Sequence, residues 1–208
     1  NFLLDRAKNN VGLILPGIAP IRNVIGGNWL YKSKSSFRHL KPFMDELHKT
    51  GAKMFVQLTA GFGRSFAISS MMEMLATNKV LGAIAKPFIN IDQLTMSASP
   101  NPNRWSDKVP SRAMTVDEIH EFIKAFGKTA KMCKDAGVDG VEIHAVHEGY
   151  LLDQFTMKYT NQRTDEYGGS IENRYRFPME IVKEIKRVCG DDYPVSLRYS
   201  VVSKTKGF

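Results

Sequence analysis

The chain has 208 residues, 43% of them hydrophobic, with 29 Lys and Arg against 21 Asp and Glu for a formal charge of +8. That is enough apolar material for a sizeable globular core. No apolar run is long enough to cross a membrane, and "NFLLDRAKNN" lacks the h-region and small-residue cleavage site of a secretory signal, so the expected location is the cytoplasm. The densest basic stretch, "NRYRFPMEIVKEIKRVCG", interleaves Glu180 and Glu184 at helical spacing, which is the pattern of a solvated helix face. No nucleic-acid motif accompanies it, so neither nucleic acid nor a membrane is an expected partner.

In chain order, "VGLILPG" (Val11 to Gly17) is a short apolar run closed by Pro-Gly and reads as a buried strand. "FRHLKPFMDELHKTG" puts Phe37, Leu40, Phe43, Met44 and Leu47 on one face before Gly51, and reads as a helix. "KMFVQL" brings the next strand, Met54 to Leu58. Residues 59–114 then show no sustained period; they are rich in Met, Ser, Asn and Pro, with one short helix expected around Ser70 to Ala76. An insertion of that length inside a compact domain is usually functional.

From Thr115 the pattern sharpens. "TVDE" is a capping box, and Ile119, Phe122, Ile123, Phe126, Ala130 and Cys133 repeat at helical spacing up to Gly137. "VDGVEIH" is a strand. "SIENRYRFPMEIVKEIKRVCG" is a helix capped by Ser170, disturbed at Pro178 and stopped at Gly190, and "PVSLRY" is the last strand. The two cysteines, Cys133 and Cys189, fall in helical patterns and read as packed thiols rather than a disulfide or cluster. Both ends of the chain look like those of a piece of a longer enzyme.

Strands alternating with helices at this spacing imply an α/β fold with a parallel sheet, either doubly wound or a (β/α)8 TIM barrel. No GxGxxG or Walker turn joins a strand to its helix, which lowers the first. Side-chain parity raises the second. Glu142 and His144 share one face of "VEIH", Gln57 lies opposite Val56 and Leu58, and Arg198 lies opposite Leu197 and Tyr199. Three strands thus send a polar group to one side near their C-terminal ends, where barrel enzymes keep their chemistry.

The residue types suggest what that chemistry is. The Gln57 amide both donates and accepts, which suits the carbonyl and N–H edge of a flavin's pyrimidine. Arg198 is a permanent cation suited to the charge such a ring acquires on reduction. His144 and His147 can each donate a hydrogen bond to a carbonyl or phenolate oxygen, and Tyr150 can supply a proton. "HAVHE" superficially suggests zinc, but it straddles a strand end without the i, i+4 helical spacing of such motifs, so no metal is expected. A plain structural histidine pair is the bland alternative.

With "GVEIHAVHEGYLLDQF", "YTNQRTDEYGGSIENRYRFPMEIVKEIK" and "PVSLRYS", the chain resembles the old yellow enzyme family of FMN-dependent ene-reductases. Within it the resemblance is to the long branch that includes 2,4-dienoyl-CoA reductase and the bile-acid-inducible NADH-dependent flavin oxidoreductases. It is specific from Ala136 to Ser200, moderate at "FVQLTAGFGR" and "LILPGIAP", and faint in the insertion.

The resemblance implies that residues 1–208 are a partial FMN-binding (β/α)8 barrel holding its second to fifth strands. The first strand, strands six to eight and the iron–sulfur and nicotinamide domains of the long branch would be missing, with 4Fe–4S and FAD then expected only in the full-length parent. It implies flavin contacts at Gln57, Arg198 and near Gly17. It also implies a proton donor at Tyr150, and a substrate-carbonyl grip at His144 and His147. The expected activity is NAD(P)H-dependent reduction of the activated C=C bond of a small unsaturated carbonyl compound. A demethylase or dehydrogenase run on the same flavin, or a truncated fragment that binds nothing, are the alternatives, and an oligomer stays open. Residues 161–174 read as a structural buttress of the mouth. Two departures from the family pattern stand out: "QLTAGFGR" lacks the histidine many members carry there, and Glu148 intervenes after the second histidine.

Overall fold

The computed structural model describes residues 2–23, 27–145 and 149–199. A short helix α1 (Phe2–Ala7) leads into two-residue strands β1 (Leu13–Ile14) and β2 (Ala19–Pro20), then helix α2 (Lys34–His48) and strand β3 (Lys53–Thr59). Helices α3 (Ser70–Thr77), α4 (Lys79–Ala85) and α5 (Ile91–Leu94) fill the insertion. Helix α6 (Val116–Asp135), strand β4 (Gly140–His144), helices α7 (Leu151–Thr156) and α8 (Ile171–Cys189) and strand β5 (Val195–Arg198) complete the order. The sheet runs β1-β3-β4-β5, with β2 also pairing β3, and every ladder is parallel.

The long amphipathic helices form because their apolar positions recur on one face and their ends are capped. At α6 the Thr115 hydroxyl accepts from the Glu118 N–H at 3.1 Å while Glu118 accepts from the Thr115 N–H at 2.9 Å. That reciprocal bonding satisfies two donors a helix start would otherwise leave orphaned. Arg112 grips the same carboxylate with its two terminal guanidinium nitrogens, at 2.8 and 2.6 Å. Burial pushes the Glu118 carboxyl up, but these bonds outweigh it and hold it below the usual range. Helix α8 begins under the Ser170 cap and continues unbroken through Pro178, contrary to the disturbance expected there.

One face of the sheet is the core. Met54, Leu58, Val141 and Ile143 are buried in one cluster with Met44 and Leu47 of α2, Phe122 and Phe126 of α6, and Phe177, Ile181 and Ile185 of α8. Cys133 and Cys189 are free and buried as expected, and burial, with the nearby Cys189, pushes the Cys133 thiol up to about 12. At the N-terminal end of the strands Asp139 ties three elements together: it binds His48 at 2.9 Å, Lys53 at 3.1 Å and the Met54 N–H at 3.0 Å. Burial raises the Asp139 carboxyl, yet those partners prevail and depress it.

Two further expectations are corrected. Val11–Gly17 is not a buried strand: it contributes only β1, with Ile14 inward and Leu13 45% exposed, because β1 lies at the outer edge of the described sheet. Beyond Pro16-Gly17 the chain rejoins β3 at Leu58 and Thr59 as β2. The insertion holds three helices instead of one. They are too short for a sustained period, and each of the first two is defined by a local cap: Ser69 accepts from the Met72 N–H, and Asn78 accepts from the Val80 and Leu81 N–H groups.

Candidate functional site

The second face of the sheet carries the polar groups, and the ladder register aligns them. Gln57 stands opposite Glu142, Glu142 opposite Ser196, and His144 opposite Arg198. Gln57 Nε2 donates to Glu142 Oε1 at 2.5 Å, and Ser196 Oγ donates to Glu142 Oε2 at 3.1 Å. Below this row the Phe55 ring covers Gly140, where an added Cβ would sit 2.6 Å from the ring, so only glycine allows that approach. Gln57 and His144 are buried, and Arg198, on the outer strand of the described sheet, is exposed.

His144 ends β4, and its ring centre lies 5.0 Å from that of Tyr150. Tyr150 precedes α7 and meets Phe62 edge to face at 4.7 Å. The phenol ring is therefore held between a histidine from the strand end and a phenylalanine from the loop after β3. His147 and Glu148 lie outside the described residues. Gly17 is exposed in the segment joining β1 to β2, with nothing within 4 Å of an added Cβ.

A clasp of buried side chains holds the two loops that frame Tyr150. Gln154, on α7 and fully buried, accepts from the Arg64 N–H at 3.1 Å and donates to the carbonyls of Phe62, at 2.9 Å, and Gly149. Ser65 Oγ donates to the same Gly149 carbonyl at 2.8 Å, and the Leu151 N–H donates to Gly61 O at 3.1 Å. Gly63 has φ +56, and an added Cβ would lie 2.3 Å from Gln154 Oε1. Asp153, equally buried, accepts from the Gly149 N–H and anchors the turn.

Residues of the insertion close the outer side. The Arg104 N–H donates to Arg64 O at 2.9 Å, Asn103 Nδ2 to Phe66 O at 3.0 Å, and Trp105 Nε1 to Ser65 O at 3.0 Å. The result is a cleft of about 400 Å³ lined by Phe62, Ser65, Phe66, Arg104, Trp105 and Tyr150. Burial lowers the Arg64 guanidinium beside it. Residues 161–174 brace this end as expected of a buttress. Asn161 binds the Phe155 and Tyr167 carbonyls at 2.7 Å, and Arg163 reaches Ala98 O and Met114 O in the insertion. At the end of β5 the Tyr199 and Tyr175 hydroxyls meet at 2.6 Å; burial first, and then that bond, pushes Tyr175 up to about 12.

The structure thus brings Gln57, His144 and Arg198 onto one sheet face and sets Tyr150 against His144 at its C-terminal end. Sequence reasoning missed Gln154, Asp153 and the role of Glu142. Only Glu142 had a signal, its shared parity with His144. Among the described residues no cluster of three or more His, Cys, Asp or Glu could hold a metal, and no helix is long and apolar enough to cross a membrane.

Comparison with known proteins adds the following. The sequence model of the NADH:flavin oxidoreductase / NADH oxidase family matches residues 1–207. A cinnamate reductase of Clostridium sporogenes is 42% identical over 212 residues, covering 99% of this chain and 29% of the relative. An NADH oxidase of Thermoanaerobacter brockii is 32% identical over 211 residues, again 29% of its own length. The chain therefore spans under a third of these two relatives. Among solved structures, the old yellow enzyme of Pichia sp. superposes with a TM-score of 0.69 at 28% identity, over 94% of this chain and 48% of that one. A 2-naphthoyl-CoA reductase superposes with a TM-score of 0.69 at 27% identity, over 94% and 29%.

Proposed function

The chain belongs to the NADH:flavin oxidoreductase / NADH oxidase family, and from that premise we propose that it carries part of the active site of an FMN-dependent oxidoreductase. On this reading the enzyme reduces the activated C=C bond of an α,β-unsaturated carbonyl compound with electrons from NAD(P)H. The observation that carries the proposal is the convergence of Gln57, His144 and Arg198 on one sheet face, with Tyr150 against His144 at the strands' C-terminal end. The cinnamate reductase among the relatives supports the reaction class.

The residues present fit the pyrimidine end of a flavin: a buried amide able to donate and accept, and a guanidinium two strands away on the same face. Gln57 and Arg198 would hold that ring, with the backbone near Gly17 beside it. FMN, when bound, supplies the hydride that goes to the substrate's β-carbon. His144, with His147, holds the carbonyl oxygen and stabilises negative charge on it as the double bond is reduced. Tyr150 donates its phenolic proton to the α-carbon, so the alkene gains one hydride and one proton while NAD(P)H is oxidised. Phe62, edge to face with the phenol, fixes where that proton is presented. In barrel terms, β1 with β2, then β3, β4 and β5, take the places of the second to fifth strands.

The test is anaerobic turnover of an enone or enoate by the FMN-loaded protein that contains this chain, with the saturated product quantified. Stoichiometric NAD(P)H oxidation and product formation are expected. Oxidation of NAD(P)H without any saturated product would refute the alkene-reduction reading.

A further inference from the structure

Glu142 occupies the middle of the polar row, one ladder step from the glutamine assigned to the flavin and one from the fifth strand. Both of its oxygens are engaged from opposite sides, by Gln57 Nε2 at 2.5 Å and by Ser196 Oγ at 3.1 Å. The chemistry of this contact is asymmetric. A carboxylate only accepts, so the Gln57 amide must turn its NH₂ toward it; the flipped amide would set two oxygens against each other at the same distance. Ser196, a hydroxyl on the neighbouring strand, holds the carboxylate from its far side.

Gln57 is 5% exposed, so water supplies little alternative to this contact. With one N–H committed to Glu142, the amide keeps its second N–H and its carbonyl oxygen, and among the described residues no hydrogen bond to that oxygen is seen. An N–H and a C=O side by side are complementary to the C=O and N–H of an imide, the group at the pyrimidine edge of a flavin. We infer that Glu142 is a positioning residue: it fixes the orientation of the Gln57 amide so that a donor and an acceptor face the flavin's imide edge. This rests on the reading that Gln57 meets the flavin. A preset orientation spares the bound state the cost of ordering the amide.

The experiment is a double-mutant cycle on FMN affinity in the full protein, with Gln57→Ala, Glu142→Gln and their combination, read by flavin fluorescence quenching and by the visible bands of bound FMN. Glu142→Gln keeps the shape but can both donate and accept, so it no longer dictates which way Gln57 faces. With the amide free to take either of two orientations, FMN binding should weaken at least about twofold, and the visible bands should shift. In the Gln57→Ala background the same change should do nearly nothing to FMN affinity, because the amide to be oriented is gone. A thermal melt of the flavin-free proteins reads stability separately, so weaker FMN binding at an unaltered melting temperature is the positioning effect and not destabilisation. If Gln57→Ala weakens FMN while Glu142→Gln has the same effect in both backgrounds, or none in the wild-type background, the positioning role is overturned. If Gln57→Ala leaves FMN affinity untouched, the premise fails and the proposal falls with it.

Discussion

Replacing Gln154 by leucine tests whether the clasp between the two loops sets the geometry of Tyr150. The substitution keeps the volume and removes every hydrogen bond the amide makes. Gly149 O retains Ser65 Oγ at 2.8 Å and Phe62 O retains the Ser65 N–H at 3.0 Å, so the group left without a partner is the Arg64 N–H. A buried backbone group stripped of its partner costs about 1–3 kcal/mol, so losing the partner of the Arg64 N–H gives about 2 kcal/mol. That is a local cost, since the core face of the sheet is untouched. At about 1.4 kcal/mol per factor of ten, amide hydrogen exchange at Leu151, which donates to Gly61 O across the same junction, should quicken by roughly thirtyfold. Phe62 would then no longer stand edge-on to Tyr150, and alkene reduction should slow while the fold persists. Hydrogen exchange by mass spectrometry and steady-state kinetics read the two effects. Unchanged exchange at Leu151 would show that the clasp does not hold the loops, and unchanged turnover with fast exchange would show that loop order does not govern the phenol.

Other perturbations separate the remaining groups. Tyr150→Phe should slow alkene reduction by roughly 10²- to 10⁴-fold, the range for a lost general acid, with flavin reduction by NAD(P)H nearly unaltered; stopped-flow measurement of each half-reaction decides, and an intact alkene half-reaction would move the proton donor to another residue. Arg198→Met should lower the reduction potential of bound FMN, since a cation near the ring favours its reduced, more negative form; a redox titration showing no shift would take Arg198 out of contact with the flavin. Asp139 is held below its ordinary value in the folded state, so its contribution to stability is present above the unfolded-state value of about 3.9 and is lost as pH falls through the folded one. Asp139→Asn should therefore lower the melting temperature at neutral pH and flatten the loss of stability on acidification. A parallel offset at every pH would mean that the carboxylate's charge is not what His48 and Lys53 stabilise.

Most of the backbone plan is legible from local pattern. Helical period and caps mark α2, α6 and α8 without reference to anything distant, and the alternation of "KMFVQL", "VDGVEIH" and "VSLRY" places Gln57, His144 and Arg198 on a common face because parity is a property of each strand alone. The core positions follow from the same periods. Even the presence of ionisable groups in "HAVHEGY" marks the strand end as a candidate site, although His147 lies outside the described residues.

What the tertiary structure alone decided is how distant segments meet. The exposure of Leu13 depends on which strand forms the edge, which no apolar run announces. Gln154 became the clasp because its partners Phe62 and Arg64 are 92 and 90 residues away, and the Gln57–Glu142 bond spans 85. Bonds across such separations leave no period in the chain, and a buried glutamine looks in sequence like any polar residue of a short helix. The ring contacts of Tyr150 with His144 and Phe62 likewise exist only once β3 and β4 pair in parallel and carry their following loops to the same end of the sheet. Local periodicity chose the elements and their faces; parallel pairing, which is non-local, chose the neighbours that make those faces a site.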